Sequence, residues 1–178
     1  MRKVLYILGE LEDSDLQWLV DAGTLRNLAP RTSIIEEGGA IESLFIVVNG
    51  ELEVRKGGRA VARLSTGEVV GEMSLLDSRP PTATVTSVGE VLVYSVPQTA
   101  LRKKLADDPG FGSRFHRALC VFLANRLSRT DLLLNANASR IEEQEAESDV
   151  SPEVLQNVAV AGARFDWFLQ RVRGSAAT

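Results

Sequence analysis

The segment Gly71 to Val85, which reads GEMSLLDSRPPTATV, holds the residue types best suited to binding a small anion. Gly71 lets the backbone come close to a ligand, and the following EMSLLD predicts a short helical turn. The free N–H groups of such a turn, at Met73 and Ser74, favour a phosphate. The carboxylate of Glu72 does not attract a phosphate, but it accepts hydrogen bonds from a neutral donor such as a sugar hydroxyl. The segment therefore predicts a site for a phosphate beside a hydroxyl group.

The remaining residues give no recognisable catalytic or metal-binding set. The chain has one histidine, His116, and one cysteine, Cys120, one turn apart in a run with helical spacing. We expect Cys120 to be a small buried thiol. A Ser-His-Asp triad or a cluster of metal ligands cannot be assembled around a single helical histidine. The glycine pairs 38–39 and 57–58 lack the lysine and the strand-to-helix context of a P-loop, so they predict turns. We predict no catalytic residues and no metal site.

Composition and charge narrow the class of protein further. The chain has 178 residues, of which 44% are hydrophobic and 25% charged, which is typical of a folded soluble protein. A net charge of -4 argues against a protein that binds the DNA backbone. The first apolar segment, residues 4–8, is too short for the core of a signal peptide, and no segment reaches membrane-spanning length. We expect a cytoplasmic protein that contacts neither DNA nor a membrane.

Two kinds of segment must position the anion site. A short helix is predicted to begin at an N-cap of Asp13 or Ser14 and to stop at Gly23. From about residue 27 to 96 the chain is predicted to be all-β, with short β-branched runs separated by glycine-containing turns. The strongest hairpin signal is Asn49-Gly50, a second lies at Gly57-Gly58, and two more strands flank Gly89-Glu90. Strands at this spacing predict a sandwich or a small barrel.

Helical periodicity returns after the β region. One helix is predicted from Pro97 to just before Pro109, and a longer one from Pro109 to Ala138. The long helix carries an apolar stripe at Phe111, Phe115, Leu119, Phe122, Leu123, Leu127 and Leu133. This stripe fits packing on the β region, a dimer seam, or both. An acidic linker is predicted at 139–150, followed by an amphipathic helix over 151–173. Its apolar side holds Val154, Val158, Ala161, Phe165, Phe168 and Val172.

This order of elements, with GEMSLL followed by TATV, resembles the cyclic nucleotide-binding domain over about residues 10 to 135. The family's phosphate-binding cassette reads Gly-Glu-aliphatic-small-Leu-aliphatic and, after a short spacer, Arg-small-Ala-x-Val. The glycines at 50, 67 and 71 and the acid at Glu72 fall at suitable spacing for this family. The resemblance implies an α+β fold, in which an antiparallel β-roll is flanked by an N-terminal helix and C-terminal helices.

The resemblance also implies a ligand and its contacts. The ligand is cAMP or cGMP, and no other cofactor is implied. Glu72 would hold the ribose 2′-hydroxyl, and a lid over the base would form in segment 125–135. The phosphate-side contacts would come from Gly71, Met73, Ser74, Thr82 and Ala83. In eukaryotic relatives a hydroxyl at the position of Thr82 is associated with a preference for cGMP. The alternative is that Thr82 is an ordinary strand threonine on a solvated face.

The sequence departs from the cassette at the family's phosphate-binding arginine. When the two patterns are aligned without gaps, Pro81 occupies that position and the nearest cation, Arg79, lies two residues earlier. A charge-assisted bidentate pair contributes about 1.5–3 kcal/mol, so its loss weakens binding about 10- to 150-fold. Three interpretations remain open. Arg79 swings in as the missing cation, the pocket binds weakly or takes another ligand, or the cassette is a structural relic.

These observations predict a stand-alone, non-enzymatic module that binds a cyclic nucleotide and acts through helix rearrangement. Its units would be the domain with its long helix at 1–138, the linker at 139–150 and the last helix at 151–173. We expect a homodimer through the 109–138 helix and a protein partner for the C-terminal helix. The alternative is a degenerate fold that serves as a ligand-independent scaffold, with the apolar faces of those two helices carrying oligomerisation or protein interaction.

Overall fold

The computed structural model of the protein describes residues 4–77, 79–138 and 152–174. The helices in these ranges are α1 (Val4–Glu10), α2 (Asp13–Ala22), α3 (Glu72–Leu76), α4 (Gln98–Asp107), α5 (Pro109–Ala138) and α6 (Pro152–Gly174). The strands are β1 (Thr24–Leu28), β2 (Ser33–Ile35), β3 (Ser43–Asn49), β4 (Leu52–Lys56), β5 (Arg59–Leu64), β6 (Val69–Val70), β7 (Thr84–Ser87) and β8 (Val91–Pro97). The predicted acidic linker at 139–150 lies outside the described residues.

The strands form two antiparallel sheets that face each other. One sheet has the order β1-β8-β3-β6 and the other the order β2-β7-β4-β5. Helices α1 and α2 precede the strands in the chain, α3 lies between β6 and β7, and α4, α5 and α6 follow the last strand. The predicted α+β class with an antiparallel β-roll and flanking helices is therefore confirmed.

Strand β3 shows why the core has two parts. Successive side chains of a strand point to opposite faces of its sheet. Leu44, Ile46 and Val48 belong to the apolar cluster shared with the helices, whereas Phe45 and Val47 belong to the cluster between the two sheets. Because both faces are covered, the strand reads as a continuous apolar run rather than an alternating one.

The predicted Asn49-Gly50 hairpin is wrong. Strand β3 pairs with β8 and β6, whereas β4 pairs with β5 and β7, so the turn connects two different sheets. A glycine is needed there for close packing, since a Cβ on Gly50 would lie 2.7 Å from the carbonyl oxygen of Glu90. The predicted Gly57-Gly58 hairpin is confirmed, because Lys56 and Arg59 pair across it. Both glycines have positive φ, as a type I′ turn requires.

The N-cap of α2 lies one residue before the nearer of the two predicted N-caps, Asp13. The N-cap is Glu12, whose backbone N–H donates to Oδ2 of Asp15 at 2.9 Å. Gly23 follows the last helical residue, as predicted, and a Cβ there would lie 2.4 Å from the ring of Tyr94. Helix α1 was not predicted, although Val4, Ile7, Leu8 and Leu11 have helical spacing and all four are buried.

The predicted bounds of the long helix α5 are confirmed, and the first part of its apolar stripe packs within the chain. Phe111, Phe115, Leu119 and Phe122 are buried, but Leu127 is 63% exposed, and the side chain of Leu133 lies outside the description. Cys120 is exposed, contrary to prediction, because the buried positions of the helix place residue 120 on its outer side.

Helix α6 packs against the same chain. It contacts α1, α2 and β1, and Ala161, Phe165, Phe168 and Val172 of its predicted apolar side are buried. The side chains of Val154 and Val158 lie outside the description. The ring of Phe168 meets that of Tyr94 edge to face, with centroids 5.1 Å apart. Arg164 donates to the carbonyls of Leu8 and Gly9, both at 3.2 Å, so it caps the end of α1.

Candidate functional site

Gly71 fixes the start of the predicted anion-binding segment. It follows β6 and has φ of 92°, a conformation that L-residues rarely adopt. A Cβ at this position would lie 2.6 Å from the carbonyl oxygen of Ser43 in β3. Glycine therefore allows the chain to leave the sheet and enter α3 directly. The predicted short helical turn is present as α3, Glu72–Leu76.

A cavity of about 340 Å³ lies between the β-roll and the segment that contains α3. Its volume is in the range of small-molecule sites. The β-roll contributes six apolar residues to the lining, from strands and one loop, namely Ile35, Ile41, Val54, Leu64, Val70 and Val85. The remaining lining residues are Gly71, Glu72, Met73, Ser74, Asp77, Arg79, Pro80, Pro81, Thr82 and Ala83.

The structure brings together all seven of the predicted ligand-binding residues. Gly71, Glu72, Met73, Ser74, Arg79, Thr82 and Ala83 line the same cavity. They supply one buried carboxylate, two hydroxyls and one guanidinium, and apart from Asp77 the rest of the described lining is apolar. Such a lining can hold a ligand that has an apolar or aromatic part and a few polar groups.

Glu72 is the buried acid of this lining. Only 2% of its surface is exposed, although it is the first residue of α3. A buried carboxylate needs hydrogen-bond donors or a positive charge around it, and Glu72 has a polar or electrostatic contact within the protein. By contrast, Met73 of the next position is 56% exposed.

Arg79 lies at the rim of the cavity rather than inside it. Its side chain is 83% exposed and forms an ion pair with Asp77, through both Nε and Nη2. The hydrogen bond from Arg79 to Asp77, and then the negative charge of Asp77, raise the pKa of the guanidinium above its ordinary value. Arg79 is therefore a permanent cation whose hydrogen bonds already go to a carboxylate.

The Pro80-Pro81 corner is held by the loop between β2 and β3. The backbone N–H of Gly38 donates to the carbonyl of Pro81 at 2.8 Å. On the other side, the hydroxyl of Ser74 is 3.4 Å from the carbonyl oxygen of Arg79. The backbone around Arg79 is thus tied at both ends, while the side chain remains at the surface.

Besides the apolar lining residues, three polar residues around the site were not predicted. Asp77 lines the cavity and pairs with Arg79, and Gln98 and Arg102 of α4 hold α3 from behind. The amide of Gln98 donates to the carbonyl of Gly71 at 3.1 Å, and Nη2 of Arg102 donates to the carbonyl of Ser74 at 2.7 Å. Asp77 was visible in the sequence as the acid nearest to Arg79, but nothing local in the sequence connects α4 with α3.

The predicted base lid at 125–135 falls within the helical backbone of α5. Apart from the exposed Leu127, the side chains of this segment lie outside the description. The described side chains of α5 do not contribute to the lining of the cavity.

The described part of the chain does not bring metal-ligating side chains together. No group of three or more His, Cys, Asp or Glu side chains within residues 4–77, 79–138 and 152–174 could hold a metal ion. His116 is exposed on α5. In the same ranges, none of the helices combines the length and apolar character needed to cross a bilayer.

Comparison with known proteins identifies the β-roll. Residues 25–108 match the family model of the cyclic nucleotide-binding domain, a shorter range than the 10 to 135 predicted from the sequence. A cyclic nucleotide-binding domain from Methylobacillus flagellatus superimposes with a TM-score of 0.67 at 21% identity. The match covers 80% of this chain and 85% of that structure, and it establishes the shared fold.

Two curated relatives are regulatory proteins by name. The cAMP-dependent protein kinase regulatory subunit of Yarrowia lipolytica is 34% identical over 105 residues, which cover 58% of this chain and 28% of the relative. The CRP-like cAMP-activated global transcriptional regulator of Mycobacterium tuberculosis is 28% identical over 122 residues, which cover 63% of this chain and 53% of the relative. The chain thus spans about a quarter to a half of the length of these relatives.

Proposed function

We propose that residues 25–108, a cyclic nucleotide-binding domain by sequence and by fold, bind cAMP or cGMP in the cavity beside α3, and that the protein is a regulatory module rather than an enzyme. The observation that carries this proposal is the convergence of seven predicted residues on one cavity of about 340 Å³. The names of the relatives support a regulatory role.

Each part of the nucleotide has a chemically suitable partner. The buried carboxylate of Glu72 accepts a hydrogen bond from the ribose 2′-hydroxyl. The cyclic phosphate lies towards the backbone of Met73 and Ser74 and draws Arg79 inward from the rim. The apolar wall of the β-roll, which includes Val54, faces the uncharged remainder of the ligand. Thr82 is the candidate for a contact that distinguishes the two bases.

The affinity should be lower than that of a complete cassette. Pro81 at the family's arginine position supplies neither a cation nor an N–H donor. Arg79 can replace the family's arginine only by breaking its ion pair with Asp77, so it restores only part of the lost interaction with the phosphate. We expect dissociation constants in the micromolar range or weaker.

The signal would pass from the cavity to the long helix through α4. Gln98 and Arg102 connect α4 to the backbone of Gly71 and Ser74, and α4 packs against α5. A shift of α3 on binding therefore moves two hydrogen-bonded anchors of α4. The change would be read out by α5, through a homodimer or through the presentation of α6 to a protein partner.

The scaffold alternative has one supporting observation. Leu127 of α5 is 63% exposed, so the distal part of this helix offers an apolar position for a second copy. The described apolar side of α6 is covered by its own chain and is not available without undocking. A ligand-independent scaffold would therefore use α5 first.

Calorimetric titration with cAMP and with cGMP tests the proposal. We expect the wild-type protein to bind, and Glu72→Ala to weaken binding about 10- to 150-fold, because a hydrogen bond to a charged group is lost. Glu90→Ala is the matched control, because Glu90 is an exposed glutamate in the turn before β8. The absence of heat at millimolar nucleotide would reject the proposal.

Light scattering on the full wild-type chain and on Leu127→Glu, each with and without nucleotide, then separates the two functions. A scaffold that assembles through α5 loses its assembly in the variant, because Leu127 is an exposed apolar position of that helix. The assembly of such a scaffold does not respond to nucleotide, whereas that of a sensor that signals through a homodimer does.

A further inference from the structure

The charges that line the cavity are unfavourable for an anionic ligand. Among its described lining residues, Arg79 is the single cation, whereas Glu72 and Asp77 are acids. Glu72 is buried and reserved by the proposed function for a hydroxyl group. A bound phosphate thus depends on Arg79 for its positive partner, and Asp77 is the acid that determines whether Arg79 is available.

Asp77 currently occupies the donors that a phosphate would use. Both Nε and Nη2 of Arg79 contact the same oxygen, Oδ2 of Asp77. A guanidinium presents these two N–H groups to a carboxylate or a phosphate in the same way. The carboxylate of Asp77 is therefore a chemical stand-in for a phosphate at the rim of the cavity.

The position of the pair allows exchange. The side chain of Asp77 is 47% exposed and that of Arg79 is 83% exposed, so water can solvate either partner after separation. The backbone of Arg79 is fixed by the contact of its carbonyl with Ser74 and by the hydrogen bond that holds the Pro80-Pro81 corner. Only the side chain needs to turn for Arg79 to move from Asp77 to a ligand.

We infer that Asp77 is an internal competitor that holds Arg79 away from the ligand's phosphate and so sets the affinity of the cavity for anions. This inference rests on the proposed function and adds a regulatory residue to it. A cyclic phosphate that enters the cavity displaces the carboxylate and takes over the guanidinium. Arg79 thus exchanges Asp77 for the phosphate, and the loss of the Asp77 ion pair lowers the net affinity.

The expected size of the effect follows from the exposure of the pair. Ion pairs between solvent-exposed side chains change an equilibrium by about 1.4- to fivefold. Asp77→Asn should therefore tighten the binding of cAMP and cGMP by about two- to fivefold. The gain should shrink as salt rises, because salt already screens the pair in the wild-type protein.

A double-mutant cycle separates competition from a general charge effect. The proteins are the full-length wild type, Asp77→Asn, Arg79→Ala and the double variant, each titrated with cAMP and cGMP by calorimetry. Asp107→Asn is the matched control, because it removes another exposed carboxylate that pairs with a nearby cation, Lys103, on α4. It does not line the cavity.

Tighter binding by Asp77→Asn that disappears in the Arg79→Ala background, with Asp107→Asn unchanged, supports the inference. If the wild type binds and Asp77→Asn binds no more tightly, the inference is overturned while the proposed function stands. An equal gain with and without Arg79 also overturns it, since that result reflects reduced repulsion alone. If none of the five proteins binds at millimolar nucleotide, the proposed function fails and the inference fails with it.

Discussion

The side-chain amide of Gln98 donates a hydrogen bond to the carbonyl of Gly71 across 3.1 Å, which joins the first turn of α4 to the residue that begins the cavity-lining segment. Gln98 is 5% exposed, so both partners of this bond are shielded from water. Its own backbone N–H donates to the carbonyl of Glu42, the residue before β3. One residue therefore connects α4, the β-roll and the proposed ligand site.

Replacing Gln98 with leucine should destabilise the protein by about 1–3 kcal/mol, because the buried carbonyl of Gly71 loses its donor while the volume is kept. The measurement is urea unfolding followed by circular dichroism. Amide exchange at Leu75 and Leu76 should also become faster, since α3 loses an anchor. Lys103→Leu on the exposed side of α4 is the control, and equal effects of the two substitutions would contradict the prediction.

Gly71→Ala should cost more stability than Gly58→Ala, although both glycines have positive φ. The strained backbone alone costs about 1–3 kcal/mol in each variant. At Gly71 the new methyl group also meets the carbonyl oxygen of Ser43, whereas nothing lies within 4 Å of a Cβ at Gly58. Chemical denaturation of both variants gives the comparison. A loss at position 71 no larger than that at position 58 would show that the contact with β3 relaxes freely.

The pair of Asp15 and Arg114 should make stability depend on acid pH. Burial raises the pKa of Asp15, but the hydrogen bond from Arg114, the N–H of Glu12 and the charge of Arg114 together hold it below its ordinary value of 3.8. A lowered pKa means that the stabilisation is present above about pH 3.8 and disappears as the pH falls through the folded-state pKa.

Asp15→Asn should therefore lower the free energy of unfolding by about 1–3 kcal/mol at neutral pH. The difference from wild type should vanish towards the acid end of the range. Asp21→Asn, an exposed acid of the same helix, serves as the control. A difference that stays constant from neutral to acid pH would mean that the charge of Asp15 is unimportant.

Tyr94→Phe should lower stability by about 1–2 kcal/mol, since the hydroxyl donates to the carbonyl of Val20 at 2.5 Å and lies 3.2 Å from that of Leu19. Burial, the largest cause, raises the pKa of Tyr94 to about 12. Because the folded-state pKa is raised, the stability is complete below the ordinary value of 10.0 and falls as the pH rises towards 12.

Absorbance titration of the folded protein checks the second part of this prediction, because the chain has two tyrosines and the variant leaves only Tyr6. The wild-type minus variant curve should have its midpoint near pH 12. A midpoint close to pH 10 would place the hydroxyl in contact with water.

The seven predicted lining residues could be read from the sequence because they are nearly contiguous, whereas the apolar lining from the strands was not predicted. Gly71 to Ala83 form one short segment, and its glycine, acid and hydroxyls can be read without knowledge of the fold. The partners that hold this segment could not be predicted from the sequence. Gln98 follows β7 and β8, which lie in different sheets, so only the complete fold brings it next to Gly71.

Strand pairing also could not be predicted from local sequence alone. Asn49-Gly50 has the composition of a tight hairpin, yet the two strands it joins lie in different sheets. The decisive fact is that β3 is apolar on both faces, which places it between the helices and the opposite sheet. A turn dipeptide carries local preference only, and burial of the whole strand overrides it.

The docking of α6 on α1 has a consequence for the order of events during synthesis. Arg164 reaches the carbonyl of Leu8, a partner 156 residues earlier in the chain. A ribosome releases α1 long before α6 exists, so the apolar side of Val4, Ile7 and Leu8 cannot acquire its full cover until the last helix has emerged. The β-roll can form first, because all of its pairing strands have by then been made. The nascent chain thus completes this part of its fold by joining α6 to α1, and a chain stalled within α6 would leave an exposed apolar surface on α1 for chaperones to shield.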